Sequence, residues 1–411
     1  MSIQKELKDL LDNDIISEDV AERIREYYQK NTPEQKQKLF IVFSVIGATL
    51  IALGILLLIA HNWDNLSRSI KTILAFVPIL IGQIACVYSY FKKKNNPIWL
   101  EGSAIFLSIS IGATISLISQ IYNIPGNIGN YVFTWAVLSI PLIYLMQSKI
   151  AAVFSLVLIV TYAVNSGYWN NSELPEILIW PLFFSILPFY LKSLRSNKNG
   201  GFEYVFTWLL CLSLAIIMGI HGKKFNELLF ITYFLMFQSF YIIGSPSNNK
   251  YRYQKALSLV GIIGMNVILL TLSFKVIWLD IIDLNINLQK IIISPEFIQL
   301  VIVLILSIFI KNKFKNQNST SSFNLYRWIE IPFILIFILG YFLPISVHLI
   351  NSLVLGIRII TIQEGIKNNS LSILNLGLFI TSLLIVFRFF DAEFSFIAKG
   401  ILFIVLGISF F

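Results

Sequence analysis

The chain has 411 residues, 56% of them hydrophobic and only 13% charged, with a mean hydropathy of +0.77. Soluble domains hold roughly 45–50% apolar and roughly 25% charged residues, so this composition excludes a soluble enzyme, a secreted disulfide scaffold and a disordered tail. The net charge of +9 lies between apolar blocks in the manner of membrane topology, and is not gathered into a nucleic-acid-binding face. Cys86 and Cys211 fall inside apolar blocks and have neither disulfide nor metal-ligand spacing.

Residues 1–38 are the sizeable stretch able to fold in water. Nine acidic residues accompany seven basic ones there, which is not the pattern of a signal peptide. Ile3, Leu7, Leu10 and Leu11 share one helical face, and Val20, Ile24, Tyr27 and Tyr28 repeat the spacing. Asp12-Asn13-Asp14 separates the two helices, and Ser17 before Glu18 and Asp19 caps the second. The expectation is a short cytoplasmic helical hairpin. Thr32-Pro33-Glu34-Gln35 then has the residues of a capping box and starts a helix that enters the membrane.

Fourteen apolar blocks follow, and the predicted fold is an all-α polytopic transmembrane bundle. They lie at Leu39–Ala60, Ile70–Tyr90, Leu100–Ile121, Tyr131–Met146, Ile150–Val164, Leu174–Leu191 and Phe202–Ile220. The others are Leu228–Ile243, Ala256–Phe274, Ile298–Ile310, Trp328–Leu343, Val347–Ile362, Leu371–Phe389 and Phe394–Phe411. Val347–Ile362 is the weakest because it holds His348, Asn351 and Arg358. With the N-terminus in the cytoplasm, roughly three-quarters of the 31 basic residues fall inside, which places both termini there. Lys275 to Glu296 is too polar to span, and is expected at the outer interface or folded back into the bundle. The polar loops Lys192–Gly201 and Lys311–Asn324 are candidate seams. The expected division is a hairpin at 1–38, a first bundle at 39–191 and a second at 192–411.

Catalytic signatures are missing: there is no phosphate-binding loop, Gly-x-Ser-x-Gly, His-Glu-x-x-His or Cys-x-x-Cys. Glu330 lies one turn from Arg327 and is expected to be paired or snorkelling, and Glu101 and Glu203 at inner ends need no special role. Arg358, about four residues from the inner end of its block, is the best candidate for a buried functional charge. Polar groups concentrate at the outer ends. His61-Asn62-Trp63-Asp64 closes the first span, with Lys71 starting the next; Gln120, Tyr122 and Asn123 close the third. Ser166-Gly167-Tyr168-Trp169 follows the fifth, and Arg388 and Asp391 close the thirteenth, with Lys399 beyond. Together these could ring a water-filled outer vestibule, although aromatic and polar residues at that level are also ordinary membrane anchors. The turn around Trp63, Asp64 and Lys71 is echoed by Phe390, Asp391 and Lys399, as in a parallel internal repeat. His61, His221 and His348 have no local metal-ligand spacing.

The outer motifs also carry a resemblance. His-Asn-Trp-Asp with Ser67 and Lys71, then Ser119-Gln120-Ile121-Tyr122-Asn123-Ile124-Pro125-Gly126, then Trp135 and Pro141-Leu142-Ile143-Tyr144, resemble the domain-of-unknown-function 2157 family of bacterial multi-pass membrane proteins. Asn375-Leu376-Gly377 and Arg388-Phe389-Phe390-Asp391 extend the likeness along nearly the whole chain. The resemblance implies a bacterial inner-membrane location and no assigned reaction, cofactor or catalytic residue. Three functions compete. The first is a transporter or channel for a small solute or lipid-like molecule, with Gly47, Gly54, Gly112, Gly261, Gly264, Gly356 and Gly377 allowing close helix approach. The second is a non-catalytic scaffold or envelope sensor that meets a cytoplasmic or membrane protein partner through the N-terminal hairpin. The third is a membrane-embedded enzyme using Asp64, Asp391 or a histidine as acid or base. The transporter-like reading is preferred; the bilayer is the expected partner, and nucleic acid is not.

Overall fold

Helices form wherever the sequence supplies an apolar run and a cap. The computed structural model describes residues 18–30 and 63–391 apart from 223–224, 245–250, 283–290, 315–325, 344 and 368, with a few single residues outside those ranges; some side chains within helices, Arg388 and Asp391 among them, are also outside the description. The chain divides into two compact units, Met1–Leu74 and Ala75–Phe411.

In the first unit, α1 (Glu18–Lys30) starts with Glu18 and Asp19 in its first turn, where acids favour the helix dipole. Its start is the one the Ser17-Glu18-Asp19 signal predicts. Ala21 is its buried anchor. The partner helix expected at residues 3–11 lies outside the described residues, as do most of the first span and the last.

The remaining helices are α2 (Arg68–Lys92), α3 (Pro97–Tyr122), α4 (Ile128–Leu145), α5 (Lys149–Ala163), α6 (Ile179–Ser196) and α7 (Gly201–Gly219). They continue with α8 (Asn226–Gly244), α9 (Arg252–Thr271), α10 (Lys275–Ile282), α11 (Pro295–Lys313), α12 (Glu330–Phe342), α13 (Ser346–Lys367) and α14 (Leu371–Asp391). Each of the predicted spans from the second to the thirteenth has its helix, and no strand occurs among the described residues. Ten helices are long and apolar enough to cross a membrane; α12 and the apolar part of α14 are shorter. Short polar residues start them. The Asn96 side chain accepts from Ile98 N at 3.0 Å with Pro97 at the first helical position, and Ser148 and Ser294 cap α5 and α11.

Helix starts and loops meet in two groups. At the lysine-rich end, the starts of α3, α5 and α7 join through Glu101, Lys149 and Glu203. Gly129 N meets Asn171 O at 2.9 Å at the opposite end, where Phe225 N donates to Glu296 at 3.3 Å. Two apolar cores fill the unit. One runs from Cys86 to Ile220, the other from Met218 to Leu384, with Trp180 and Leu214 packed against both.

The structure extends one expectation, trims a second and decides part of a third that was left open. The helix at the weak twelfth span continues to Lys367, five residues past the apolar block in which Arg358 lies four residues from the end. Of the glycines, Gly112 and Gly261 do sit at close approaches, but a Cβ on Gly356 would meet nothing within 4 Å. The polar stretch after Phe274 begins with α10, whose Trp278 is buried against Gly340 and Phe337, so that part folds back into the bundle.

Candidate functional site

A groove of about 1060 Å³ lies between α2, α3 and α4. Its walls follow from small residues on α3. Ala104, Ser108 and Gly112 recur every fourth position, so α4 packs tightly against that stripe. The Trp135 ring fills the space beside Gly112, where a Cβ would come within 2.3 Å of it. Trp135 Nε1 donates to Ser108 O at 2.6 Å, and Tyr131 Oη to Gly112 O at 3.0 Å. On the other side Thr114 Oγ1 donates to Ala75 O at 2.6 Å and holds α2. These bonds satisfy hydroxyl and indole donors that lipid could not.

Phe76 and Ile79 of α2, Leu107 and Ile111 of α3, and Leu138 and Leu142 of α4 line the groove. The polar lining residues are Gln83 about halfway along α2, Thr114, Ser116, Ser119 and Gln120 on α3, and Asn127, Asn130, Tyr131 and Thr134 at the start of α4. Apolar walls with amides at mid-length and at the α3–α4 turn suit a molecule with a long apolar part and a small polar head.

The turn at the mouth is built by the motif the sequence singles out. Asn123 takes the left-handed conformation at φ 50° and ends α3, a conformation asparagine tolerates better than most residues. Ser119 Oγ donates to Ile124 O at 2.9 Å, and Asn127 caps α4 by accepting from Asn130 N at 2.8 Å. Asn130 accepts from Ser172 Oγ at 3.2 Å and Glu173 N at 3.3 Å, tying the turn to the loop after α5. So Asn123, Asn127 and Asn130 serve the backbone. Gln120 is exposed and lines the groove, and Tyr122 is exposed beside it in sequence.

Of the other predicted site residues, Trp63, Asp64 and Lys71 are described, within the first compact unit. Trp63, Asp64 and Asn65 form a short 3₁₀ turn, and Lys71 lies with its ammonium 5.6 Å from the Trp63 ring centroid, in cation–π range, while Asp64 is exposed. His61, Asn62, Lys399 and the side chains of Arg388 and Asp391 lie outside the described residues, and with them the second copy of the suggested repeat. His221 stacks on Trp180 and His348 is exposed; among the described residues no group of His, Cys, Asp and Glu could hold a metal.

The end of the bundle opposite the groove mouth gives roles to Glu101 and Glu203, from which the sequence expects none, and a partner to Glu330. Glu101 accepts from Lys149 N at 2.8 Å, from Ile150 N at 3.0 Å and from Ser148 Oγ, so a carboxylate from α3 closes the start of α5. Glu203 is buried, accepts from Ser193 Oγ at 2.5 Å and pairs with Lys149 Nζ at 3.3 Å. Glu330 pairs with Lys311 of another helix and accepts from Gln238 Nε2, while Arg327 Nη2 donates to Lys311 O at 2.6 Å. These groups stitch helices, and the spacing of partners ten to 92 residues apart hides them in sequence.

Residues 8–152 match the family model described as predicted membrane protein DUF2157. The match takes in α2, α3 and α4, and so every wall of the groove. It stops shortly after α5 begins, so the C-terminal motifs of the resemblance lie beyond it. No curated protein and no solved structure matches the chain. The chain is thus a membrane protein with many apolar helices, similar over its first third to a family without an assigned activity.

Proposed function

We propose that this protein is a transporter- or channel-like inner-membrane bundle that takes a lipid-like, amphipathic molecule into the groove between α2, α3 and α4. The observation that carries the reading is the groove's make-up: apolar walls from Phe76 to Leu142, with the Gln83 and Gln120 amides among them. An acyl chain gains burial along such walls, and an amide offers both a donor and an acceptor to a head group. The orientation puts both termini in the cytoplasm and the groove mouth outside, following the basic loops. Reporter fusions at Lys93 and Lys198 should then read cytoplasm, and fusions at Asn127 and Asn171 outside.

A phospholipid with a photoreactive acyl chain tests the groove. Labelling of the purified protein should concentrate on peptides of α3 and α4 and fall several-fold in Leu138→Trp, which fills the trough. Val205→Trp, on an exposed face of α7, should leave it unchanged. Uniform labelling unaffected by Leu138→Trp would reduce the groove to ordinary lipid-facing surface, and absent labelling would mean that protein fills it.

A further inference from the structure

Far from the groove, in the second core, Arg358 is 1% exposed and sits within α13. Twelve residues separate it from Ser346 and nine from Lys367, about 18 Å and about 13 Å along the helix at 1.5 Å per residue. Its Nη2 donates to Asn266 Oδ1 on α9 at 2.7 Å. The Asn266 amide is held in that orientation because its Nδ2 donates to Ile262 O at 2.6 Å. Nε and Nη1, which carry three of the five guanidinium hydrogens, are buried without a hydrogen-bond partner among the described residues. The neighbouring Thr361 hydroxyl is spent on Ile357 O.

A guanidinium stays charged at any physiological pH, and a charge at mid-span is costly unless something compensates it. The same bundle shows what compensation looks like: buried Lys311 faces Glu330. Arg358 faces a neutral amide. We infer that Arg358 and Asn266 form a recognition site for a small oxyanion, of the carboxylate or phosphate class, entering the second half of the bundle. The planar guanidinium matches two oxygens of such a group, and the Asn266 amide fixes the plane in which they approach. The apolar run of α13 ends at Ile362, four residues past Arg358, so a lipid phosphate and a free oxyanion offer this site the same chemistry. This inference does not depend on the groove.

The test uses the full chain in nanodiscs of zwitterionic lipid, with melting followed by tryptophan fluorescence. Inorganic phosphate and acetate are titrated at constant ionic strength. At least one should raise the wild-type melting temperature saturably, and Arg358→Gln should lose the response. Asn266→Asp is the second variant: its carboxylate supplies the counter-charge from within, so the protein should melt higher in anion-free buffer and respond at least tenfold more weakly. That variant keeps the test decisive if Arg358→Gln fails to fold. A wild type that responds to neither anion overturns the site, as does a response kept in Asn266→Asp or Arg358→Gln. Phosphatidylglycerol nanodiscs should leave the response intact; its loss there would make a lipid headgroup the occupant and overturn the assignment to a small solute.

Discussion

Two ion pairs at the lysine-rich end set the halves of the bundle apart. In the first half, Lys149 pairs with buried Glu203 while its own side chain is 45% exposed. In the second, Lys311 and Glu330 are 11% and 9% exposed, and Gln238, fully buried, closes over them. Both carboxylates keep a second donor, Ser193 on Glu203 and Gln238 on Glu330, so the difference lies with the cation: Lys149 reaches water while Lys311 is nearly sealed from it. The difference extends inward: the groove walls are fastened by hydroxyl and indole donors to backbone carbonyls, whereas the second core carries polar side chains such as Asn266 and Arg358 along its spans.

The sharpest way to break that comparison is to remove the sealed cation. Lys311→Ala should cost about 3–5 kcal/mol by stranding Glu330, whereas Lys311→Met with Glu330→Leu should be close to neutral. Melting of the purified variants decides it, and equal losses for the single and the joint change would show that the pair is not sealed. Gly112→Val attacks the first half where it is tightest, forcing the Trp135 ring away. It should cost about 1–3 kcal/mol, read as a lower melting temperature together with altered phospholipid labelling of α3 and α4. Glu101→Ala leaves the Lys149 and Ile150 amides short of their acceptor and should cost about 1–2 kcal/mol. Hydrogen exchange at the first turn of α5 should rise while that of α9 stays constant. The smallest effect belongs to Lys149→Ala, about 0–1 kcal/mol, shrinking further in high salt as a partly exposed pair should. If it matched Lys311→Ala, the contrast between the halves would collapse.

Hydropathy alone located twelve helices because an apolar run in a membrane has only one economical backbone, the helix that satisfies its own amides. The start of α1 after Ser17 was legible for the same local reason, because Glu18 and Asp19 in its first turn favour the helix dipole; the helix end at Asn123 was not, since that residue was read as part of an outer polar cluster. The end of α13 was misplaced because hydropathy ends near Ile362 while the helix runs on through Gln363 to Lys367. Helix propagation needs only the next hydrogen bond, not an apolar residue. Glu101 was passed over because its acceptor role lies 48 residues along the chain, at Lys149 N.

The sequence by itself determined that the chain lives in a membrane, that it is helical, where most helices begin, and that it lacks the known catalytic signatures. Those properties depend on composition and on contacts within a few residues. Only the tertiary structure decided that Asn127 and Asn130 serve a turn, that Glu330 belongs with Lys311, that α2, α3 and α4 border a groove, and that Arg358 donates to the Asn266 amide. Each is a matter of which helix faces lie against one another. Many apolar faces are nearly interchangeable in hydropathy, so their pairing is set by shape and by the few polar side chains that must find partners.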